Sequence, residues 1–278
     1  IPGRAALHRG DGAAGERQGR AGGVPGAGGP DEGAGRPGRI HAVLDHQRRR
    51  GPGNPARHRD LGDSSTSAVG GEQYPAVIDR AGDGYSIAGA GILRGRGAGA
   101  SQYNKPAWIF GACAGAALYR KAMLAEIGLF DEDYFLLYED VDLSFRAQLR
   151  GYRCLYVPDA VVCHMATKSI GYDSAKSVYY GHRNLEWTYI KNMPKKLILR
   201  TIAPHLLDII FAFFFFILIG HGRIYLKAKK DALKGLKRSI LKRKEVQMYR
   251  KVNSNYIWKL LEPEIFFPRY ARRLHQKR

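Results

Sequence analysis

The sequence predicts an α/β domain over residues 74–196, preceded by a low-complexity segment without fixed structure (1–73) and followed by a membrane-associated helical region (197–278). Three observations carry this reading. Composition changes abruptly near residue 70, strand-like and helix-like runs alternate after it, and an apolar run is backed by a basic stretch towards residue 278.

Up to Gln73 the chain contains no Lys, Phe, Trp, Tyr, Met or Cys and is dominated by Gly, Arg, Ala and Pro. Such a segment buries too little apolar surface to offset the entropy of ordering it. The 278 residues carry 45 Lys and Arg against 25 Asp and Glu, a net charge of +20. Where the cations lie decides what they suggest. Arg residues of the first segment, "QRRR" among them, are scattered between Gly and Pro with no aromatic side chain to stack on a base. The lysines gather after residue 226, directly behind the apolar run. That distribution predicts a membrane surface as partner and no nucleic acid. Cys113, Cys154 and Cys163 are odd in number and lack CxxC spacing, so neither a disulfide framework nor a zinc knuckle is expected, and a reducing compartment is. No secretory signal is expected either.

Residues 77–99 are Gly-rich and predict a loop with weak strand character. Trp108 to Phe110 reads as a short strand, and the small residues after it, Gly111, Ala112 and Cys113 first, either line a ligand cleft or let helices approach closely. Lys121 to Ile127 fits a short helix closed by Gly128. The next helix starts at Glu139: Val141, Phe145 and Leu149 share one face, and Gly151 supplies the stop. Its first turn holds Glu139, Asp140 and Asp142, where unpaired backbone N–H groups favour negative charge. Helix capping explains such a cluster without any chemistry; an active site is the sharper alternative. "YRCLYV" and "AVVCH" predict two strands split by Pro158-Asp159, with His164 at the end of the second as a structural hydrogen-bonder or a metal ligand.

Residues 177–194 have helical spacing around His182, Arg183 and Asn184, and Pro194 ends them. Residues 206–219 read "LLDIIFAFFFFILI". This run is short of the roughly 20 apolar residues a spanning helix needs, so an interfacial or re-entrant helix competes with a span, and a buried soluble helix is the third option. The basic stretch behind it sets Leu233, Leu236 and Ile240 on one side among Lys and Arg. It fits a helix lying on an anionic leaflet, at the cytoplasmic face of the cell membrane, with a solvated charged helix as the alternative.

"GACAGA", "GLFDEDYFLLYEDVDLSFR", "GYRCLYVPDAVVCH" and "YYGHRNLEW" occur in this order. Together they resemble the acceptor-side half of family 2 glycosyltransferases, in particular the bacterial rhamnosyltransferase-like branch. The resemblance implies a GT-A fold, a Rossmann-like α/β sandwich, here incomplete. It also implies transfer of a sugar, rhamnose among the candidates, from a nucleotide-diphosphate donor to a glycan or lipid-linked acceptor of the cell envelope, with inversion. Asp140 would take the proton of the acceptor hydroxyl, a poor nucleophile until a positioned carboxylate does so. Glu139 and Asp142 would shape its field and hold the acceptor. His164 would help to hold a divalent cation, Mg or Mn, that stabilises the departing diphosphate. Arg183 would contact that diphosphate, and Gly111, Ala112 and Cys113 would line the cleft.

The first 70 residues depart from the family pattern: no apolar strand precedes a helix there, and no Asp-x-Asp or Asn-Asp-Asp motif is present. A reading-frame error is one explanation, because displaced by one nucleotide the codons of "DHQRRRGP" can encode Ile-Thr-Asn-Asp-Asp-Ala-Val-Pro. The expected consequence is an absent or severely impaired activity. The competing expectations are a non-catalytic basic protein that binds membrane or nucleic acid, and a non-functional truncated gene product.

Overall fold

The computed structural model describes residues 78–163, 171 and 174–264, together with the strands β1 (Arg39–His46), β2 (Ser67–Val69) and β3 (Glu72–Tyr74). His164 therefore lies outside the described residues, as does most of the segment 1–73.

Helices and strands are mixed, in agreement with the α/β class. The main sheet is built from β4 (Ile78–Arg80), β1, β9 (Arg153–Cys163) and β7 (Ala107–Ile109) in that order, and β8 (Ala117–Leu118) also pairs with β1. One stretch of the segment expected to lack structure is thus a strand. Arg39–His46 runs parallel to β9 along its whole length, from Arg39 opposite Arg153 to His46 opposite Cys163. The local sequence allows it, since Ile40, Ala42, Val43 and Leu44 crowd four apolar residues, one of them β-branched Ile and one Val, into five positions. A second correction concerns β9, a single strand where two were expected. The pairing steps from Val43 opposite Val157 to Leu44 opposite Val161, so Pro158, Asp159 and Ala160 are absorbed as a bulge. Proline lacks the N–H a regular ladder needs, and a bulge is where a strand tolerates it.

The Gly-rich loop expected over residues 77–99 also contains strands. Besides β4 these are β5 (Asp83–Ser86) and β6 (Gly91–Leu93), which with β10 (Leu261–Glu262) form a second, three-stranded sheet. Gly82 and Gly89 take positive φ of 90° and 84° at the turns between them, a conformation open to glycine at little steric cost.

Helix α1 (Lys121–Ile127) ends on Gly128 at φ 80°, as its sequence predicts. Helix α2 (Glu139–Leu149) begins at the expected residue, and every residue from Asp140 to Leu149 is buried. Ala147 faces a core of Ile78, Ile109, Met123, Cys154 and Tyr156, while Val141, Phe145 and Leu149 face a second core around Tyr85, Phe110, Tyr189 and Ile257. Its polar side chains are buried with partners, as burial requires: Gln148 Nε2 donates to the carbonyls of Ile109 and Phe110 at 3.2 and 2.8 Å.

Five helices follow: α3 (Ala175–Asn192), α4 (Lys195–Leu218), α5 (Gly222–Lys234), α6 (Leu236–Met248) and α7 (Ser254–Leu260). Helix α4 outruns the apolar stretch that marks it, starting eleven positions before Leu206, and passes through Pro204.

The close approach of α2 to the end of β7 depends on Gly111. A Cβ at this position would stand 2.6 Å from both Cβ and Oγ of Ser144. Gly111→Ala is expected to cost about 1–3 kcal/mol of stability through overpacking, read as a lowered urea midpoint.

Candidate functional site

The segment leading into α2 is held in an unusual backbone shape. Phe135, Leu137 and Tyr138 have φ of 61°, 65° and 72°. Each such non-glycine residue costs about 1–3 kcal/mol and persists only where its surroundings fix it. Helix α3 does the fixing. Asn184 Nδ2 donates to the carbonyls of Tyr134, Leu136 and Leu137 at 2.9, 2.8 and 2.7 Å, and Arg183 Nη2 donates to those of Asp133 and Tyr134 at 3.1 and 3.0 Å. The strained turn delivers Tyr138, Glu139 and Asp140 to the wall of a cavity of about 260 Å³, which Arg80, Asp83, Arg96, Ser177, His182 and Phe216 complete.

Asp140 is 8% exposed. Its Oδ1 accepts from Val141 N at 2.8 Å and its Oδ2 from Ala114 N at 3.3 Å. Arg80 Nη1 stands 3.9 Å from that Oδ2 and 3.5 Å from Asp83 Oδ1. The residues around this ion trio are short of hydrogen-bond partners. Arg80 Nε, both carboxyl oxygens of Asp83 and Glu139 Oε2 are buried without one, half of the eight such side-chain atoms among the described residues. Native interiors rarely leave polar atoms unsatisfied, and these four belong to three residues that line the cavity.

Burial pushes the Asp83 carboxyl up to about 7 despite the opposing pull of Arg80, and burial together with the Asp140 charge raises Glu139. The sign for Asp83 follows from its raised folded value. Below about pH 4 folded and unfolded chains both carry the proton and the group costs nothing; as pH climbs towards 7 only the unfolded chain releases it, so stability falls, by up to about 4 kcal/mol. Asp83→Asn is expected to remove that slope, measured as the difference between variant and wild-type urea midpoints across this window.

The residues expected from the sequence separate into groups. Asp140 and Glu139 line the cavity. Asp142 does not: its side chain is fully buried, accepting from Arg146 Nε and Lys191 Nζ at 2.9 Å, Asn192 Nδ2 at 2.7 Å and Tyr134 Oη at 3.2 Å. Burial alone would raise its carboxyl, but Lys191 and Arg146 outweigh this and hold it below the ordinary range. Asp142 thus lies in a buried ionic network away from the cavity, because residues two apart on a helix point to nearly opposite sides.

Gly111 and Ala112 are buried against α2, with Ala112 N donating to Ser144 Oγ at 3.3 Å, so close packing rather than cleft lining accounts for them. Cys113 is half-buried beside Arg80, and burial pushes its thiol up to about 12. Arg183 lies against Trp187, its guanidinium carbon 4.2 Å from the ring centroid, and borders a different pocket. The structure places it away from the Asp140 cavity, holding the backbone before α2. Among the described residues no three His, Cys, Asp or Glu side chains converge as a metal-binding group, so they do not supply a donor set for the expected divalent cation.

Arg80, Asp83 and Asn184 escape a reading of short motifs. The first two lie some 60 residues before the acid cluster on strands taken for a loop. Asn184 did carry a signal, as a buried amide among apolar helical positions beside an arginine.

No protein-family model and no solved structure matches the chain. Over 83 residues it is 39% identical to the N-acetylglucosaminyl-diphospho-decaprenol L-rhamnosyltransferase of Mycobacterium tuberculosis, in each of two strains. The match covers 30% of this chain and 25% of those relatives, so it spans a quarter of their length. Over that stretch the chain is related to a glycosyltransferase.

Proposed function

We propose that this chain carries the acceptor-side half of a GT-A, family 2 type glycosyltransferase, in which Asp140 is the base that takes the acceptor's proton. The observation that carries the reading is the convergence of Asp140, Glu139, Asp83 and Arg80 on the lining of one cavity. A sugar offers hydroxyls that both donate and accept, which suits a carboxylate, a guanidinium and a second carboxyl in close array. Asp140 is held by backbone N–H donors on both oxygens, which fixes the direction in which its remaining lone pairs face. A hydroxyl bonded to it becomes nucleophilic as the proton passes over in the transition state. Tyr138 and Glu139 border the same space, and His182 and Phe216 give it an apolar side on which a sugar ring can rest.

The donor is a nucleotide-diphosphate sugar. L-rhamnose and a lipid-linked N-acetylglucosamine acceptor are the substrates to try first, since they are those of the partial relatives. The divalent cation and His164 belong to this reading as family expectations alone. Residues 1–73 as written show no donor-binding pattern, so a slow reaction is expected.

The test has two readouts. Binding of an N-acetylglucosaminyl diphosphate lipid is measured by fluorescence, and transfer of radiolabelled rhamnose from its nucleotide diphosphate is measured with the same protein. Acceptor binding that Arg80→Met weakens supports the cavity; absence of binding to the wild type sinks the reading. Transfer at ordinary enzyme rates would overturn the expected impairment alone.

A further inference from the structure

Helix α4 is built inside out. Thr201, His205, Asp208 and Ala212 form a buried stripe that continues to Phe215 and Phe216. The polar members are engaged: Thr201 Oγ1 lies 2.9 Å from Tyr189 Oη, and the His205 ring nitrogens stand 2.8 Å from the Ala88 carbonyl and 3.0 Å from Glu186 Oε2. The outward side is apolar instead. Leu199, Ile202, Leu206, Ile210, Phe214 and Ile217 recur every three or four residues and are exposed, Leu199 by 73% and Phe214 by 58%. Leu207, Phe211 and Leu218 widen that stripe. So large a contiguous apolar face on the surface marks an interaction site.

Its surroundings identify the occupant. Helix α5 packs beside α4, with Tyr225 Oη donating to the Ile209 carbonyl at 2.8 Å and its ring stacked on Phe216. On its outer side α5 alternates exposed Leu226 and Leu233 with exposed Arg223, Lys227, Lys230 and Lys234, and exposed Lys195 and Lys196 open α4. An apolar stripe flanked by cations complements a leaflet of acyl chains beneath anionic headgroups.

Length alone does not decide whether α4 crosses that membrane, since its 24 residues extend about 36 Å. Packing does. Helix α3 lies along α4, with Tyr189 stacked on His205 at 3.9 Å towards one end and His182 against Phe216 at 4.7 Å towards the other. Helix α3 is in turn tied by Arg183 and Asn184 to the loop that leads into the candidate site, and by Lys191 to the buried Asp142 of α2. A spanning α4 would draw these charges and the irregular backbone before α2 to hydrocarbon depth, where both are costly. We propose that α4 lies flat in the surface of an anionic bilayer leaflet, its outer stripe among the acyl chains and its buried stripe on the domain, without crossing. Because Phe216 also walls the Asp140 cavity, the membrane-bound helix and the candidate site share one element.

Two measurements on the full chain test this, and neither needs sugar transfer. In flotation with vesicles of phosphatidylglycerol and phosphatidylcholine in equal parts, the chain is expected to bind, with roughly tenfold or greater weakening on pure phosphatidylcholine. Ile210→Glu with Phe214→Glu is expected to weaken binding to the anionic vesicles roughly tenfold or more at an unchanged unfolding midpoint, both side chains being exposed. A fluorescent amino acid placed at Leu199, Leu206 or Phe214 is then read against lipid-borne quenchers. Equal shallow depths support the proposal, whereas a steady progression of about 20 Å between the first and last positions means a span and overturns it. Absence of vesicle binding, with self-association that the double variant abolishes, assigns the stripe to a second copy of the chain and overturns it as well.

Discussion

Asp140→Asn is expected to lower the rate of sugar transfer by roughly 10²- to 10⁴-fold, the span over which a positioned general base contributes. Acceptor affinity is expected to stay within about threefold, because an interaction made only in the transition state is lost without loss of ground-state binding. Asparagine keeps the size of the side chain and one oxygen to accept from Val141 N or Ala114 N, so the start of α2 is preserved. What disappears is the lone pair that receives the proton and the charge opposite Arg80. Rates are compared as variant to wild type under saturating acceptor, which removes any dependence on how active the chain is in absolute terms. Equal rates for the two would remove Asp140 from the chemistry.

Asp142→Ala is expected to destabilise the fold by about 3–5 kcal/mol, the usual cost of removing one partner from a buried ionic network. The loss strands two cations. Lys191 would keep Asp131 at 2.7 Å as its one carboxylate among the described residues, and Arg146 would keep no carboxylate but the carbonyls at the end of α1, Leu129 at 2.7 Å among them. Changing Lys191→Met in addition is expected to recover part of the loss, since it removes a buried charge that has lost one of its two carboxylates. The pH dependence has a definite sign. The folded carboxyl is depressed, so its contribution is present above the unfolded value near pH 4 and is lost as pH falls through the lower folded value. Wild type and Asp142→Ala should therefore converge in urea midpoint at strongly acid pH and separate above it. Equal midpoints at pH 7 would contradict the network.

These two aspartates show where sequence reasoning reached and where it stopped. The start of α2 at Glu139 and the bounds of α1 followed from periodicity and from the glycines that close each helix. The structure divides "EDVD": Glu139 and Asp140 line the cavity, and Asp142 is buried in an ionic network. Asp142 and Arg146 are four apart and on one side, where they pair, and Asp140 two positions earlier faces the other way. Arg80 and Asp83 were hidden for another reason: three-residue strands between glycines carry too few residues to display a period. The bulge in β9 was hidden because Pro and Asp announce a turn wherever they fall, and only the pairing with Val43 and Leu44 shows that the strand resumes.

The grip of Asn184 on the turn before α2 touches main-chain oxygens and nothing else. The identities of Leu136 and Leu137 are therefore free to drift as far as this clamp is concerned, while the clamp itself admits no isostere. Aspartate at 184 would set oxygen against three oxygens, and leucine would withdraw the amide from all three, leaving the Tyr134 carbonyl to Arg183 alone among side chains. Variation in this region should accordingly fall on the loop that is held and spare the residue that holds it.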